Sequence, residues 1–439
     1  MSDTGLTPNV SAKDYDAVIV GASLAGCATA IMLGRSGGRV ALVEQRPDSS
    51  AYKKICSHYI QSSAVATLEH LDLLEPMMRA GALRSRARIH TRWGWIEPPS
   101  NSTVPSGVNL RRSVLDPLIR EAAAATSGVE LVMGHTVQGL LRDGVSFTGA
   151  VARDAKGNER RLRARLLIGA DGRGSRVAKL AGVARKTYPH GRVAYGGYFE
   201  GPAPAGAPDA ALWILDPDMG AAFPTDSGLT FYAAMPIKEH AGAFRDDPAK
   251  ALVSFLEGLP NPPPIAASRL IQSPQGKLDM TNVAHAPTAP GLALVGDAAL
   301  AIDPLWGVGC GWALQSAEWL GDAVAPALAG SEPLDRALKR YRRRYGRGLR
   351  GHAAMIYDYA GGRKLNPGER MLFSAATFDE RVSAVMEAFG TRNIGPVRML
   401  ASGAPLALKA HLRRRVLRRG RAQSPAAAVP TPASGGPAR

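Results

Sequence analysis

The chain has 439 residues, 45% of them hydrophobic, and 54 Lys+Arg against 37 Asp+Glu give a formal net charge of +17. That length and apolar content allow a full buried core and more than one. Much of the basic excess sits in residues 336–350 and 412–421; it reads as solvated helix faces, and with no recognisable reader module no nucleic-acid partner is expected.

In chain order, the polar start lacks an apolar segment of the kind that opens a secretory signal. Residues 17–20 form an apolar run expected to be a buried parallel strand, followed by a glycine turn and a helix over 23–35. Residues 40–43 supply the second strand and close a βαβ unit of about 30 residues. Leucine and valine spacing predicts a helix over 62–74. Residues 86–111 are expected to be extended, 112–125 helical and 129–168 strand-rich. From about residue 183 to 275, aromatic alternation and Gly/Pro turns predict an antiparallel sheet. Residues 292–295 are again a buried-type strand, 309–329 a helix, and the chain continues helical to about 419. Residues 422–439 are low-complexity and expected to be disordered.

Cys27, Cys56 and Cys310 are too few and too widely spaced for a disulfide framework or a zinc site, and they suit a reducing cytoplasm. No stretch approaches ~18 apolar residues without charges, so no membrane span is expected.

Three short motifs carry the chemistry. The first is Gly21-Ala22-Ser23-Leu24-Ala25-Gly26, between a strand and a helix, where backbone N–H groups and the helix dipole can hold a pyrophosphate. Ser23 replaces a usual glycine and brings a Cβ near the phosphates. Glu44, followed by Gln45 and Arg46, ends the second strand at about the ~20-residue spacing of a carboxylate that binds a ribose 2′-OH, which suits FAD or NAD better than NADP. The second motif is a tight turn at Asp171-Gly172, leading to Arg173 and Arg176, which could meet a phosphate or simply lie at the surface. The third is Gly296-Asp297, continued by Pro304, Gly307, Val308 and Gly309 at a helix start. That helix start can stabilise negative charge at the N1–O2 side of a reduced isoalloxazine, and Asp297 can bind a ribityl hydroxyl. Together the three describe one pocket, built from distant segments, for FAD.

These motifs resemble the dinucleotide, DG and GD motifs of the single-component flavoprotein monooxygenase superfamily, with the para-hydroxybenzoate hydroxylase-like fold, over roughly residues 15–330. Aromatic hydroxylases, epoxidases, flavin halogenases and geranylgeranyl reductases share that fold. The resemblance implies an α/β fold: a Rossmann-like FAD-binding domain (GR2 type) with an inserted, mainly antiparallel β substrate domain and a C-terminal helical region. The FAD-binding parts would be 15–85, 111–182 and 286–330, the substrate-domain parts 86–110 and 183–285, the helical region 331–421 and the tail 422–439. It also implies that Arg112 lies near the flavin pyrophosphate, that Val137 meets the adenine through its backbone, and that NAD(P)H is a transient co-substrate.

Within that superfamily, Leu300 stands where many hydroxylases have His. The segment from Pro304 to Ser316 and the Lys54-Ile55-Cys56 segment are similar to the geranylgeranyl reductases. No lysine follows residues 56–65 to direct hypohalous acid, which disfavours halogenation. Trp93 and Trp95, at period two, are expected to share one face. The leading expectation is an NAD(P)H- and O2-dependent monooxygenase of a small-to-medium apolar or aromatic metabolite, in the cytoplasm; the alternative is a reductase of an olefinic or prenyl substrate. His58, Tyr59, Tyr195, Trp213, Phe223 and Trp306 are pocket candidates, with Tyr198 beside them in the middle sheet. His58 is read as a structural histidine ahead of a proton relay. No metal site and no catalytic residue are assigned. Leu408, Leu412 and Val416 share a helical face amid arginines; docking on the chain's own domain is favoured over peripheral membrane contact.

Overall fold

The computed structural model describes residues 14–423. The polar start before them and the expected low-complexity tail from residue 424 lie outside the described residues, whereas residues 422 and 423 close the last helix, Pro396–Gln423.

A central parallel sheet has the strand order Leu292–Leu294, Glu159–Gly169, Tyr15–Val20, Val40–Val43, Val129–Val132. Both faces are covered, so Val40–Val43 is buried throughout, as its unbroken apolar sequence requires. Glu159–Gly169 serves two partnerships. Its second half lies in the parallel sheet, while its first half pairs antiparallel with Ser146–Arg153, which pairs in turn with Thr136–Asp143.

Leu24–Arg35 is buried from Leu24 to Gly34. It runs between the sheet and two helices, Arg112–Ala124 and Gly309–Leu328. This explains its small residues: a Cβ on Gly34 would lie 2.7 Å from Thr126, and one on Gly321 2.8 Å from Met32. The spacing read as one helix over 62–74 is instead a 3-10 turn, Ser62–Ala64, and two short helices, Val65–His70 and Leu74–Arg79. Asp72, in the left-handed region at φ 54°, separates them.

A second sheet runs Arg269–Leu270, Ala194–Glu200, Leu229–Met235, Met219–Pro224, Ala210–Ile214, Ala87–Thr91, Gly94–Ile96, and Gln275–Lys277 adds to Ala194–Glu200. Alternation divides its side chains between two apolar layers. Trp213, Ala222, Tyr232 and Ala234 pack outward with Leu252 and Leu256 of the helix Pro248–Glu257. Ala221, Phe223, Phe231, Ala233 and Met235 face inward, toward Tyr59 and Leu305. Trp93 and Trp95 do not share a face. Trp93 precedes Gly94, whose φ of +117° turns the chain, and it packs on the inward layer while Trp95 packs on the outward one.

Helices follow. Leu334–Ala360 buries Leu338, Tyr341, Tyr345 and Leu349 at three- and four-residue spacing and leaves Arg336, Lys339, Arg342, Arg343 and Arg347 exposed. That is the solvated basic face expected of residues 336–350. No helix among the described residues is long and apolar enough to cross a membrane. Arg192 joins this region to the second sheet. It is 0% exposed, donates to the carbonyls of Pro217, Met235 and Tyr359, and stacks 4.7 Å from the Tyr359 ring. Arg192→Ala would strand these buried acceptors at about 1–3 kcal/mol each. Urea denaturation should therefore show a loss of about 3 kcal/mol or more.

Candidate functional site

The ends of the parallel strands and the inward face of the second sheet enclose a cavity of about 1040 Å³. The three motifs meet in its wall. Gly21, Ser23, Leu24 and Ala25 line it from the first motif, Asp171 and Gly172 from the second, and Asp297, Pro304, Gly307 and Gly309 from the third. Glu44, Gln45, Arg46, Arg112 and Val137, the other expected cofactor residues, line it as well. Ala22, Gly26, Gly296 and Val308 stand behind the lining and shape it. A Cβ on Gly26 would fall 1.8 Å from the Gly21 carbonyl oxygen, and one on Gly296 2.9 Å from the Ala25 methyl. Gly21, at φ +103°, makes the turn itself.

Two helix N-termini open onto this space. Neither Ser23 before Leu24–Arg35 nor Val308 before Gly309–Leu328 caps its helix with a side chain. Their first-turn N–H groups, which have no intrahelical partner, are free for an anionic ligand, and both helix dipoles favour one. Glu44 is held by its own motif: Oε2 accepts the Ala22 N–H and Oε1 the Arg46 N–H, both at 3.0 Å. That leaves lone pairs for hydroxyls. The volume, the two uncapped helix ends and the Glu44 carboxylate fit FAD. The nucleotide end would lie by Glu44 and Val137, and the ring end by Asp297 and Gly307.

Asp171 shapes its turn, accepting from Ser175 Oγ and, at 3.0 Å, from the Val177 N–H. Arg173 donates to the carbonyls of Met280, Thr281 and Ile302 and ties the second motif to the third. Arg176 donates to the Val137 carbonyl at 3.2 Å. Below Pro304, the buried Asp303 accepts from His190 Nε2 and from the Leu305 N–H, which fixes the loop.

Arg112 is 2% exposed, at the first position of Arg112–Ala124. It donates to Ser23 Oγ at 2.7 Å and to Asp116 Oδ1 at 2.6 Å. Burial works against its charge, yet Asp116 and two neighbouring sulfurs hold its pKa above the ordinary guanidinium value. Lys53 pairs with Asp297 at 2.8 Å. Asp297 raises the Lys53 pKa, and Lys53 pulls that of Asp297 down despite burial. The sequence had shown neither this pair nor the approach of Cys56 to Cys310 at 3.5 Å. Each joins segments more than 240 positions apart.

Of the pocket candidates, Phe223 lines the cavity and Tyr195 lies at its edge with its ring stacked on Phe244. Trp213 is on the outward face, donating to the Pro260 carbonyl, because its strand parity is opposite to that of Leu212 and Ile214. Trp306 turns to the C-terminal helices and meets Phe389 edge-on. Tyr59 is buried behind the wall against Phe223. His58 is also behind it, 1% exposed. Its Nδ1 accepts the Arg112 N–H at 3.0 Å, and its Nε2 therefore carries the proton toward Tyr198 Oη. Both ring nitrogens are engaged by neighbouring protein groups.

Among known families, residues 14–347 match the one described as FAD binding domain. Digeranylgeranylglycerophospholipid reductase 1 of Methanococcoides burtonii is 25% identical over 360 residues, 75% of this chain and 79% of the reductase. The 3-(3-hydroxy-phenyl)propionate/3-hydroxycinnamic acid hydroxylase of Comamonas testosteroni is 28% identical over 182 residues, 40% of this chain and 30% of the hydroxylase. A flavoprotein/dehydrogenase from Cytophaga hutchinsonii has the same fold, with a TM-score of 0.74 at 16% identity, over 92% of this chain and 100% of its own.

Burial pushes the pKa of His58 down to about 4. An unfolded histidine titrates near ~6.5, so between these values the unfolded chain binds a proton that the folded chain refuses. Stability is complete above ~6.5 and is lost as pH falls through about 4, by on the order of 3 kcal/mol. His352, also held at about 4 by burial, acts in the same direction. Urea midpoints near pH ~7 and ~4.5 should show this loss, and His58→Gln should reduce it.

Proposed function

We propose that this chain, which belongs to the FAD binding domain family, uses NAD(P)H and O2 to hydroxylate or epoxidise a small-to-medium apolar or aromatic metabolite. It is an FAD-dependent oxidoreductase. The observation that carries the reading is the cavity wall opposite the motifs. Leu212, Ala221, Phe223, Phe231, Ala233 and Met235 make most of it apolar, and Tyr195, Gln275 and Lys277 of the same sheet add polar atoms to the lining. The apolar part of such a wall binds an apolar substrate by excluding water. Bound FAD supplies two-electron redox chemistry, including the activation of O2. The chain's own residues then bind and orient. The two uncapped helix ends hold negative charge, Asp297 offers its carboxylate to hydroxyls, and Lys53 keeps that carboxylate ionised.

Isotope-labelled O2, supplied with NADH or NADPH and a panel of aromatic and olefinic compounds, tests this. Label should appear in the product, and anaerobic single turnover should give none. Anaerobic formation of a saturated product would replace this reading with the second one.

That second reading is reduction of an olefinic or prenyl substrate, and two observations favour it. A relative that matches over three quarters of the chain is named a digeranylgeranylglycerophospholipid reductase. In Pro396–Gln423, Met399, Ala407 and Ala410 dock on neighbouring helices, while Leu400, Leu408, Leu412 and Val416 are all more than half exposed. Lys409, Arg413, Arg414 and Arg415 interleave them, as on a helix that lies at an anionic membrane surface. The helix thus docks by one face and leaves another free for peripheral membrane contact. Vesicles with anionic lipid should float the protein at low salt, and Leu412→Glu should weaken that binding several-fold. Absence of wild-type flotation removes the membrane contact.

A further inference from the structure

The three cysteines occupy different chemical settings. Cys27 is fully buried within Leu24–Arg35, and burial pushes its thiol well up. Cys56 and Cys310 instead both line the cavity, with their sulfurs 3.5 Å apart. Cys56 lies on the irregular loop before Tyr59–Ile60, and Cys310 in the first turn of Gly309–Leu328.

Donors surround the Cys56 sulfur. It accepts the His58 backbone N–H at 3.3 Å and faces Arg112 Nη1 at 3.7 Å. The same guanidinium nitrogen is 3.9 Å from the Cys310 sulfur. Hydrogen bonding from Cys310, with Arg112 and the lysine at position 53 adding to it, holds the Cys56 thiol well below its ordinary range against the effect of burial. Cys310, next to that negative sulfur, is raised. Both directions favour the thiolate at Cys56 over one at Cys310. A thiolate beside a thiol is the ionisation that thiol oxidation requires, and here the favoured nucleophile is on a loop and its partner on a helix.

We propose that Cys56 and Cys310 are a reversible redox pair that closes to a disulfide in the wall of the flavin cavity when a peroxide reaches it. The Cys56 thiolate attacks the peroxide O–O bond, forming a sulfenic acid and releasing hydroxide. The Cys310 sulfur then attacks the Cys56 sulfur. The S–S bond forms, the S–O bond breaks, and the leaving oxygen departs as water with the Cys310 proton. One thiolate and one thiol lose two electrons, and one hydrogen peroxide becomes water and hydroxide. A disulfide spans ~2.05 Å, so the sulfurs must close by about 1.5 Å, a movement for the Cys56 loop. A dithiol such as dithiothreitol reopens the bond and is itself oxidised. Closure also removes the negative sulfur beside Arg112, so oxidation changes the charge of the pocket as well as its covalent structure.

The test uses the FAD-bound protein as purified, reduced, freed of reductant and treated with limiting hydrogen peroxide. Under denaturing conditions the three thiols should fall to one, and the intact mass should drop by two hydrogens. Peptide mapping should recover a Cys56–Cys310 cross-link that dithiothreitol abolishes. Cys310→Ala should trap Cys56 as a sulfenic acid that dimedone labels, while Cys56→Ala should leave Cys310 unreacted. Wild-type protein that keeps all three thiols, or that oxidises Cys56 beyond sulfenic acid with Cys310 still free, overturns the proposal without needing either variant to fold.

Discussion

A guanidinium with almost no access to solvent organises the cofactor side of this molecule. Arg112 and Asp116 are 3% and 1% exposed at the side chain, and an unpaired charge at that depth costs about 3–5 kcal/mol. Their ion pair is therefore obligatory, and other segments are arranged around it. Arg112 reaches Ser23 of the first motif, while Asp116 accepts the Lys53 N–H at 2.8 Å and so anchors the chain three residues before Cys56. His58 accepts the Arg112 N–H from behind. Three segments between residues 23 and 116 are thus held to one point.

The other side of the cavity is governed by a different constraint, the alternation of a strand. The second sheet is apolar on both faces, so it can pack outward on Pro248–Glu257 and inward on the cavity at once. The two halves of the site accordingly differ in character, one charged and rich in backbone donors, the other mainly apolar, with Tyr195, Gln275 and Lys277 as its polar lining residues. A ligand bound between them meets both. A flavin with an apolar substrate has that same division of polarity.

What could be read in the sequence followed the range of the interaction. The strands at residues 17–20 and 40–43, the turn at Gly21 and the helix start at Gly309 are local, and the structure has them where their residues indicate. The motif residues converge because each sits at the end of a parallel strand, a consequence of topology that the motif order already carries. Parity was harder. Trp213 and Leu212 are both apolar in a strand apolar on both sides, so nothing in the sequence says which one faces the cavity. Trp93 and Trp95 looked equivalent until Gly94 turned the chain between them. The Lys53–Asp297 and Cys56–Cys310 approaches had no sequence signal, because neither pair shares an element or a spacing rule.

Ser23 breaks the glycine pattern of the first motif, and by pattern alone it is a defect to be repaired. Its hydroxyl, however, is the acceptor that receives Arg112 at 2.7 Å, and a glycine offers no such atom. Engineering toward the family consensus would remove a steric intrusion and, in the same step, detach the buried cation from the helix it anchors. For this chain the atypical residue and the arginine form one hydrogen-bonded unit, and either is best judged with the other in place.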